Sequence, residues 1–274
     1  MMKEIVKKVI PSPVWNYCRL IYHRRERQNF KPYTIKKNYC GFQLLTHISD
    51  GLAQGWYGAD WKPLPELEFL KNYTLKQNAV VFDIGAHQGI VAQVMGKMVG
   101  SEGKIIAVEA NKHNVQAFQK NINLNSLEHV KIVHAAIAAQ NGFIEFSEAL
   151  NGKVDDGSGE WGQVKTKATT IDTLIKDYAL PDLIFIDVEG FEGEALIGAQ
   201  ENFSKIKSWF IEVHADYQLQ SFGGSVEKIL NYFPTEKYDL FVANDNHRDF
   251  IPFNHSLTEE IIKKRFFLIA LRKT

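Results

Sequence analysis

The stretch VVFDIGAHQG, residues 80–89, decides how this chain is read. Three apolar residues run into Asp83, and a small-residue turn with Gly85, Ala86 and Gly89 follows at once. Beyond it, GIVAQVMGKMV (89–99) has helical spacing, so the stretch predicts a strand, a tight turn and a helix. A glycine at such a turn suggests a ligand pressed against the backbone, and the carboxylate beside it selects the ligand's charge.

The pattern repeats on either side. AVVFDI (79–84), GKIIAVEA (103–110), VKIVHAAI (130–137), DLIFID (182–187) and SWFIEVH (208–214) read as buried strands. Helical patterns separate them at NVQAFQKNINLN (114–125), TTIDTLIKDY (169–178) and GEALIGAQENF (193–203), and SVEKILNYF (225–233) follows the fifth strand. Thr169 and Asp172 have capping-box spacing at the start of one of them. GFIEFSE and QVKTKATT alternate as an antiparallel pair across the loop ALNGKVDDGSGEWG, and YDLFVAN with RFFLIALR predicts a closing hairpin. The order is that of a doubly wound α/β domain with a mostly parallel sheet. Ligands in such a sheet gather beyond the carboxyl ends of the strands, which places Asp83, Glu109, Ala136, Asp187 and His214 along one rim.

Composition bounds the function. The 274 residues are 45% hydrophobic and 23% charged, an ordinary balance for a folded enzyme and a poor one for disorder. Cys18 and Cys40 have no CxxC spacing, so neither a disulfide framework nor a zinc knot is indicated. No apolar run spans a bilayer, and the start MMKEIVKKVIPSP lacks the apolar core of a secretory signal, so the expected compartment is the cytoplasm. The zero net charge hides an asymmetry: residues 1–37 hold ten Lys/Arg against Glu4 and Glu26, and the remainder holds 22 against 30 acids. Such a basic arm either packs one apolar side on its own domain or makes peripheral contact with an anionic membrane; no nucleic-acid partner is expected. Residues 1–60 are accordingly read as a basic, helical extension and 61–274 as the main domain. The oligomeric state is not legible.

The first turn discriminates between cofactors. A dinucleotide fingerprint needs G-x-G-x-x-G, whereas here Gly85 is followed by His87 and Ile90 at the other two glycine positions. Asp83 at the mouth of the turn would repel a pyrophosphate and suits a ligand carrying an ammonium group, as S-adenosylmethionine does. Glu109 ends the second strand 24 residues after Gly85, where a carboxylate can accept hydrogen bonds from ribose hydroxyls. Together the two acids favour the sulfonium cofactor over NAD(P).

FDIGAHQG, GKIIAVEANKHNVQAFQKNINLN, ATTIDTL, IFIDVEGFEGEALIGA and FIEVH, spread over residues 66–214, resemble the FkbM-type methyltransferases in order and spacing. The resemblance implies a class I, Rossmann-like fold with a seven-stranded sheet and an antiparallel C-terminal strand. It also implies S-adenosylmethionine-dependent O-methylation of a hydroxyl on a sugar, glycolipid or natural product, the acceptor being a small molecule or glycan. The cofactor would then meet Asp83, Gly85, Ala86, His87, Gly89, Glu109, Ala110, Ala136 and Asp187. The alternatives are an NAD(P)-dependent oxidoreductase and a cofactor-binding protein without catalysis.

Methyl transfer to an alcohol needs a nucleophile placed in line and its proton removed. IDVEGFEGE supplies Asp187, Glu189, Glu192 and Glu194, and IEVHAD supplies Glu212 and His214. Alternation along extended strands would pair Asp187 with Glu189 and Glu212 with His214. His214 is the expected general base, with an ordinary imidazole pKa near ~6.5, and Asp187 and Glu212 are its catalytic partners. The other reading of Glu212 and His214 is a mutually satisfied polar pair. No metal is expected as the first reading; the alternative is magnesium or manganese held by Asp187, Glu212 and His214. Glu192 and Glu194 are read as helix-start acids favoured by the dipole. Glu189 and Trp161 are candidate acceptor contacts, and GWYGADW (55–61) adds three aromatics that either pack or meet the acceptor.

Overall fold

The computed structural model describes Ile21, Arg25 and residues 28–147, 163–215, 217–254 and 258–273. Most of the basic arm and the loop carrying Trp161 lie outside these residues.

An antiparallel hairpin, β1 (Tyr33–Tyr39) and β2 (Phe42–Ile48), comes first, where an extension of helix alone was expected. Its loop is the two residues Cys40 and Gly41, both with positive φ, the turn that matches strand twist. Cysteine replaces the usual Asn or Asp there, which is why the hairpin is faint in the sequence. Helices α1 (Gly51–Tyr57) and α2 (Pro65–Lys71) follow. Asp50 caps α1 by accepting the N–H of Ala53, and proline opens α2, where its missing N–H costs nothing.

The main sheet is built from β3 (Val80–Ile84), β4 (Lys104–Glu109), β5 (Val130–His134), β9 (Leu183–Ile186), β10 (Ser208–Val213), β11 (Tyr238–Ala243), β12 (Ile251–Pro252) and β13 (Phe266–Arg272). Their order is β12-β11-β13-β10-β9-β3-β4-β5. The five strands from β10 to β5 are parallel, and β13 runs antiparallel between β10 and β11. This is the expected doubly wound sheet with its antiparallel C-terminal strand, but it has eight strands rather than seven. The addition, β12, pairs two residues with the edge of β11 and is too short to show a period.

Both faces are covered, so the central strands are apolar except near their ends. Alternation sends Val81, Leu183 and Phe185 to one core with the hairpin, α1, α2 and α3 (Ile90–Val99). Phe82, Ile84, Ile184 and Ile186 go to the other, with α5 (Ile171–Asp177), α6 (Glu192–Ile197) and α8 (Val226–Leu230). α4 (Lys112–Asn125) lies along the first face, where Asn121 and Asn125 accept the N–H groups of His47 and Leu45.

The expected third strand, 130–137, divides. The N–H of Ala135 bonds both Glu109 O and Val133 O, and the chain leaves the sheet there. β6 (Ala136–Ile137) pairs instead with β8 (Gln163–Thr169), which also pairs with β7 (Gly142–Ser147), giving a separate small sheet. The cap of α5 is Thr170, accepting from the N–H of Thr173, and not Thr169. Asp172 accepts instead from the backbone N–H groups of Glu201 and Asn202, in the turns where helix was expected to continue beyond Gly198.

Gly85 is required by the chain itself. It has φ +93, and a Cβ there would stand 1.7 Å from the carbonyl oxygen of Asp187. The close approach inferred from the sequence is thus to the turn after β9. Gly85→Ala should cost at least ~3 kcal/mol of folding stability, because backbone rather than a flexible side chain blocks the methyl group. Denaturant unfolding monitored by circular dichroism checks this; a loss below ~1 kcal/mol would show that the two turns separate easily.

Candidate active site

The parallel strands β3, β4, β9 and β10 end side by side, and each delivers an ionisable group to the same rim. Asp83 is the penultimate residue of β3 and is buried. Its Oδ2 is enclosed and has no hydrogen-bond partner. Burial, then the charge of Glu109, pushes its carboxyl up to about 7. Glu109 ends β4, and burial pushes it up to about 7 against the hydrogen bonds that favour its charge. Its Oε1 accepts from the N–H of Asn111 at 2.7 Å and from Asn114 Nδ2 at 3.4 Å, and its Oε2 from the N–H of His87 at 2.8 Å.

The turn between these acids is constrained. His87 holds φ +50, a conformation uncommon for a side chain with a Cβ, which explains why glycine suits this position elsewhere. Its Nδ1 lies 2.7 Å from the hydroxyl of Tyr57, and its ring packs 5.0 Å from that of Trp56. Burial, then the charge of Glu109, raises Tyr57 well above its ordinary value, so the phenol keeps its proton. Gln88 is buried beside it, donating to Asp50 Oδ2 and accepting from Ser49 Oγ. Burial of Asp50 opposes its charge, but hydrogen bonds from His113, Ala53, Ser49 and Gln88 prevail and hold it below the ordinary carboxylate range.

Two adjoining chambers open at this rim. One is lined by Gly85, His87, Glu109, Ala110, Ala136 and Asp187, with Ile137 and Phe146 of the small sheet as an apolar wall. The other is lined by Trp56, Tyr57, Trp61, Asp83, Ala86 and His87. Gly89 lies elsewhere: it caps α3 and packs against the ring of Phe118. Trp56 is half exposed and borders both chambers, so the aromatic trio of residues 55–61 is part of the site.

His214 follows β10 and is buried. Its Nδ1 lies 2.7 Å from Oε1 of Glu192, a side chain with no exposure. Its Nε2 faces Glu189 Oε2 at 3.5 Å, Glu212 Oε1 at 3.8 Å and Asp187 Oδ1 at 3.9 Å. Burial opposes a charge on the ring, but the hydrogen bond and charge of Glu192, with Asp187 and Glu189, push it up to about 9. The ordinary value near ~6.5 taken from the sequence is therefore corrected. Burial and the charges of Glu212 and Glu189 raise Asp187 well above its ordinary value. Its side chain keeps 40% exposure, yet Oδ1 is enclosed and has no hydrogen-bond partner.

Three local expectations change. Asp187 and Glu189 are not strand residues, because β9 ends at Ile186 and Glu189 has φ +51; a turn brings them together. Glu192 is not a solvent-side helix-start acid but the partner that orients His214. Its signal was present: Ala195, Leu196 and Ala199 stand three, four and seven positions on, and that face is buried. Glu212 lies on the same side as His214, with Oε1 3.8 Å from Nε2, but its closer partner is Arg265 Nη1, at 3.0 Å. Trp161 lies outside the described residues.

The methyltransferase FkbM domain matches residues 83–248, more than half of the chain, and takes in all of these acids and His214. The chain belongs to the FkbM methyltransferase family. Among solved structures it is similar to an FkbM methyltransferase from Methylobacillus flagellatus KT, with 15% identity and a TM-score of 0.46. That likeness covers 72% of this chain and 44% of the other, so this chain spans under half the length of that relative. It is also similar to a SAM-dependent methyltransferase from Aquifex aeolicus, with 16% identity, a TM-score of 0.44 and coverage of 77% and 89%. A putative O-methyltransferase from Klebsiella pneumoniae shares 12% identity, with a TM-score of 0.45 and coverage of 77% and 78%. No curated protein matches the sequence. Membership of this family sets aside the NAD(P)-dependent oxidoreductase alternative. Among the described residues no helix is long and apolar enough to cross a membrane.

The pKa shifts predict how this FkbM-family protein responds to pH. Asp83 and Glu109 hold protons in the fold at pH values where the unfolded chain has lost them. The native state then binds more protons, and stability must fall as pH rises from about 4 to about 7. Thermal unfolding of the ligand-free protein between about pH 5 and about pH 8 checks this, and Asp83→Asn should flatten the slope. Rising stability across that range would contradict the burial of both acids.

Proposed function

We propose that this chain transfers a methyl group from S-adenosylmethionine to a hydroxyl of a sugar-containing or related small acceptor. One observation carries the cofactor: two adjacent strand ends hold the buried acids Asp83 and Glu109, each pushed up to about 7, at adjoining chambers of one rim. The groups fit the donor's chemistry. Asp83 would meet the ammonium of the amino-acid tail, Glu109 the ribose hydroxyls, and Ala110, Ala136 and Phe146 the adenine. A cationic partner restores to Asp83 the stabilisation that burial removes. When bound, S-adenosylmethionine supplies an electrophilic methyl group and a neutral sulfide as leaving group.

The chain's own task is to place the hydroxyl and take its proton. Asp187 borders both chambers, and Glu189 lines one of them beside it. Asp187, Glu189 and Glu212 each place an oxygen 3.5–3.9 Å from His214 Nε2, a cluster of acceptors beside the space for the hydroxyl whose proton must leave. Trp56 at the mouth offers a half-exposed ring against which a sugar face can stack. The basic N-terminal arm would keep the protein near an anionic membrane if the acceptor is a glycolipid.

Incubation with labelled methyl donor and a panel of glycans should yield label on oxygen. His214→Ala should bind S-adenosylhomocysteine within ~3-fold of the parent and turn over at least ~100-fold more slowly. Asp83→Asn should weaken S-adenosylhomocysteine at least ~10-fold, an effect that grows as pH rises through about 7. Full turnover by His214→Ala would remove the cluster from the chemistry, and unaltered binding by Asp83→Asn would remove Asp83 from the cofactor site.

A further inference from the structure

The cluster around His214 has a geometry that methyl-donor binding does not require. His214 Nε2 points at carboxylate oxygens 3.5, 3.8 and 3.9 Å away, all beyond the ~2.7–3.2 Å of a good N–H···O bond. The ring cannot turn to choose one of them, because Glu192 Oε1 holds Nδ1 at 2.7 Å. Four carboxylates, Asp187, Glu189, Glu192 and Glu212, surround this imidazole, and Arg265 touches only Glu212. Independently of that crowding, Asp187 Oδ1 is fully enclosed, faces Nε2 and has no hydrogen-bond partner. A buried oxygen that nothing donates to and a buried nitrogen with no oxygen closer than 3.5 Å share one small space.

We infer that Asp187, Glu212 and His214 form a binding site for one hard divalent cation, of the magnesium or manganese class, at the acceptor side of the rim. One ligand atom from each lies within 4.8 Å of the others. Three atoms 3.8, 3.9 and at most 4.8 Å apart share a point no more than about 2.5 Å from each, near the bond lengths such ions take. The donor set, two carboxylate oxygens and one imidazole, suits these ions better than zinc, which prefers more nitrogen or sulfur. Glu192 supplies the outer carboxylate that fixes a histidine ligand's tautomer and ring orientation, leaving Nε2 for the metal. Arg265, bonded to Glu212, holds the second oxygen ligand in place. Open coordination positions face the chamber, where the acceptor's hydroxyl oxygen can bind and lose its proton more readily.

The cation's role rests on the methyltransferase reading, but its binding does not, so the two fail separately. Manganese added to the purified full chain without cofactor is followed by the loss of its free-ion electron paramagnetic resonance signal. One ion per chain should bind, and magnesium should compete for the same site. Asp187→Asn and Glu212→Gln should each weaken manganese at least ~10-fold, and Glu192→Gln between ~10- and ~100-fold. The metal-free variants should keep the parent's circular dichroism spectrum and a single cooperative thermal transition, which shows that they fold. Should manganese remain free, or the variants bind it as well as the parent, the inference fails even if methyl transfer is observed. Specific binding by a chain that transfers no methyl group would uphold the site and remove only its assigned role.

Discussion

Crowding of like charges at the ends of parallel strands is the constraint on which this structure turns. Because β3, β4, β9 and β10 run the same way and in register, the residues where they stop must lie side by side. Those residues are Asp83, Glu109, Asp187 and His214, with Glu189, Glu192 and Glu212 drawn in by the following turns. Buried carboxylates without partners are unfavourable, and among the described residues three carboxylate oxygens lack one, on Asp83, Asp187 and Glu192. A sheet built only for stability would carry apolar groups there.

The rim holds its shape because the first fifty residues of the described chain brace it. Asp50 caps α1 and ties it through Gln88 to the turn after β3, while His113 closes the same network from α4. Tyr57, at the end of α1, reaches His87 in the strained centre of that turn. Through Trp56 and Tyr57, α1 therefore forms one wall of one chamber, and the small sheet containing β6 forms one wall of the other. Movement of either wall would change these spaces without disturbing the central sheet.

Some of this was legible and some was not. The apolar runs placed four of the five parallel strands within a residue or two, since strands buried on both faces leave no other pattern, while the third leaves the sheet at Ala135, before the end of its apolar run. The acids of the rim were named because they end those strands. Asp187 and Glu189 do share a side, but through a turn at residues 187–189 rather than through alternation along an extended strand. Glu192 was passed over because a helix-start acid ordinarily faces water, whereas here it shares a buried face with Ala195, Leu196 and Ala199.

The amino-acid sequence by itself determined the strand order's parallel core, the family, and which residues end the strands, because these follow from local hydrophobic period and short motifs. Tertiary structure alone decided which carboxylate holds His214, that Gly85 yields to the carbonyl of Asp187, and that Trp56, Tyr57 and Asp83 share a chamber. Those contacts join residues 22 to more than 100 positions apart, and no local period encodes a meeting between elements that separate folding steps bring together.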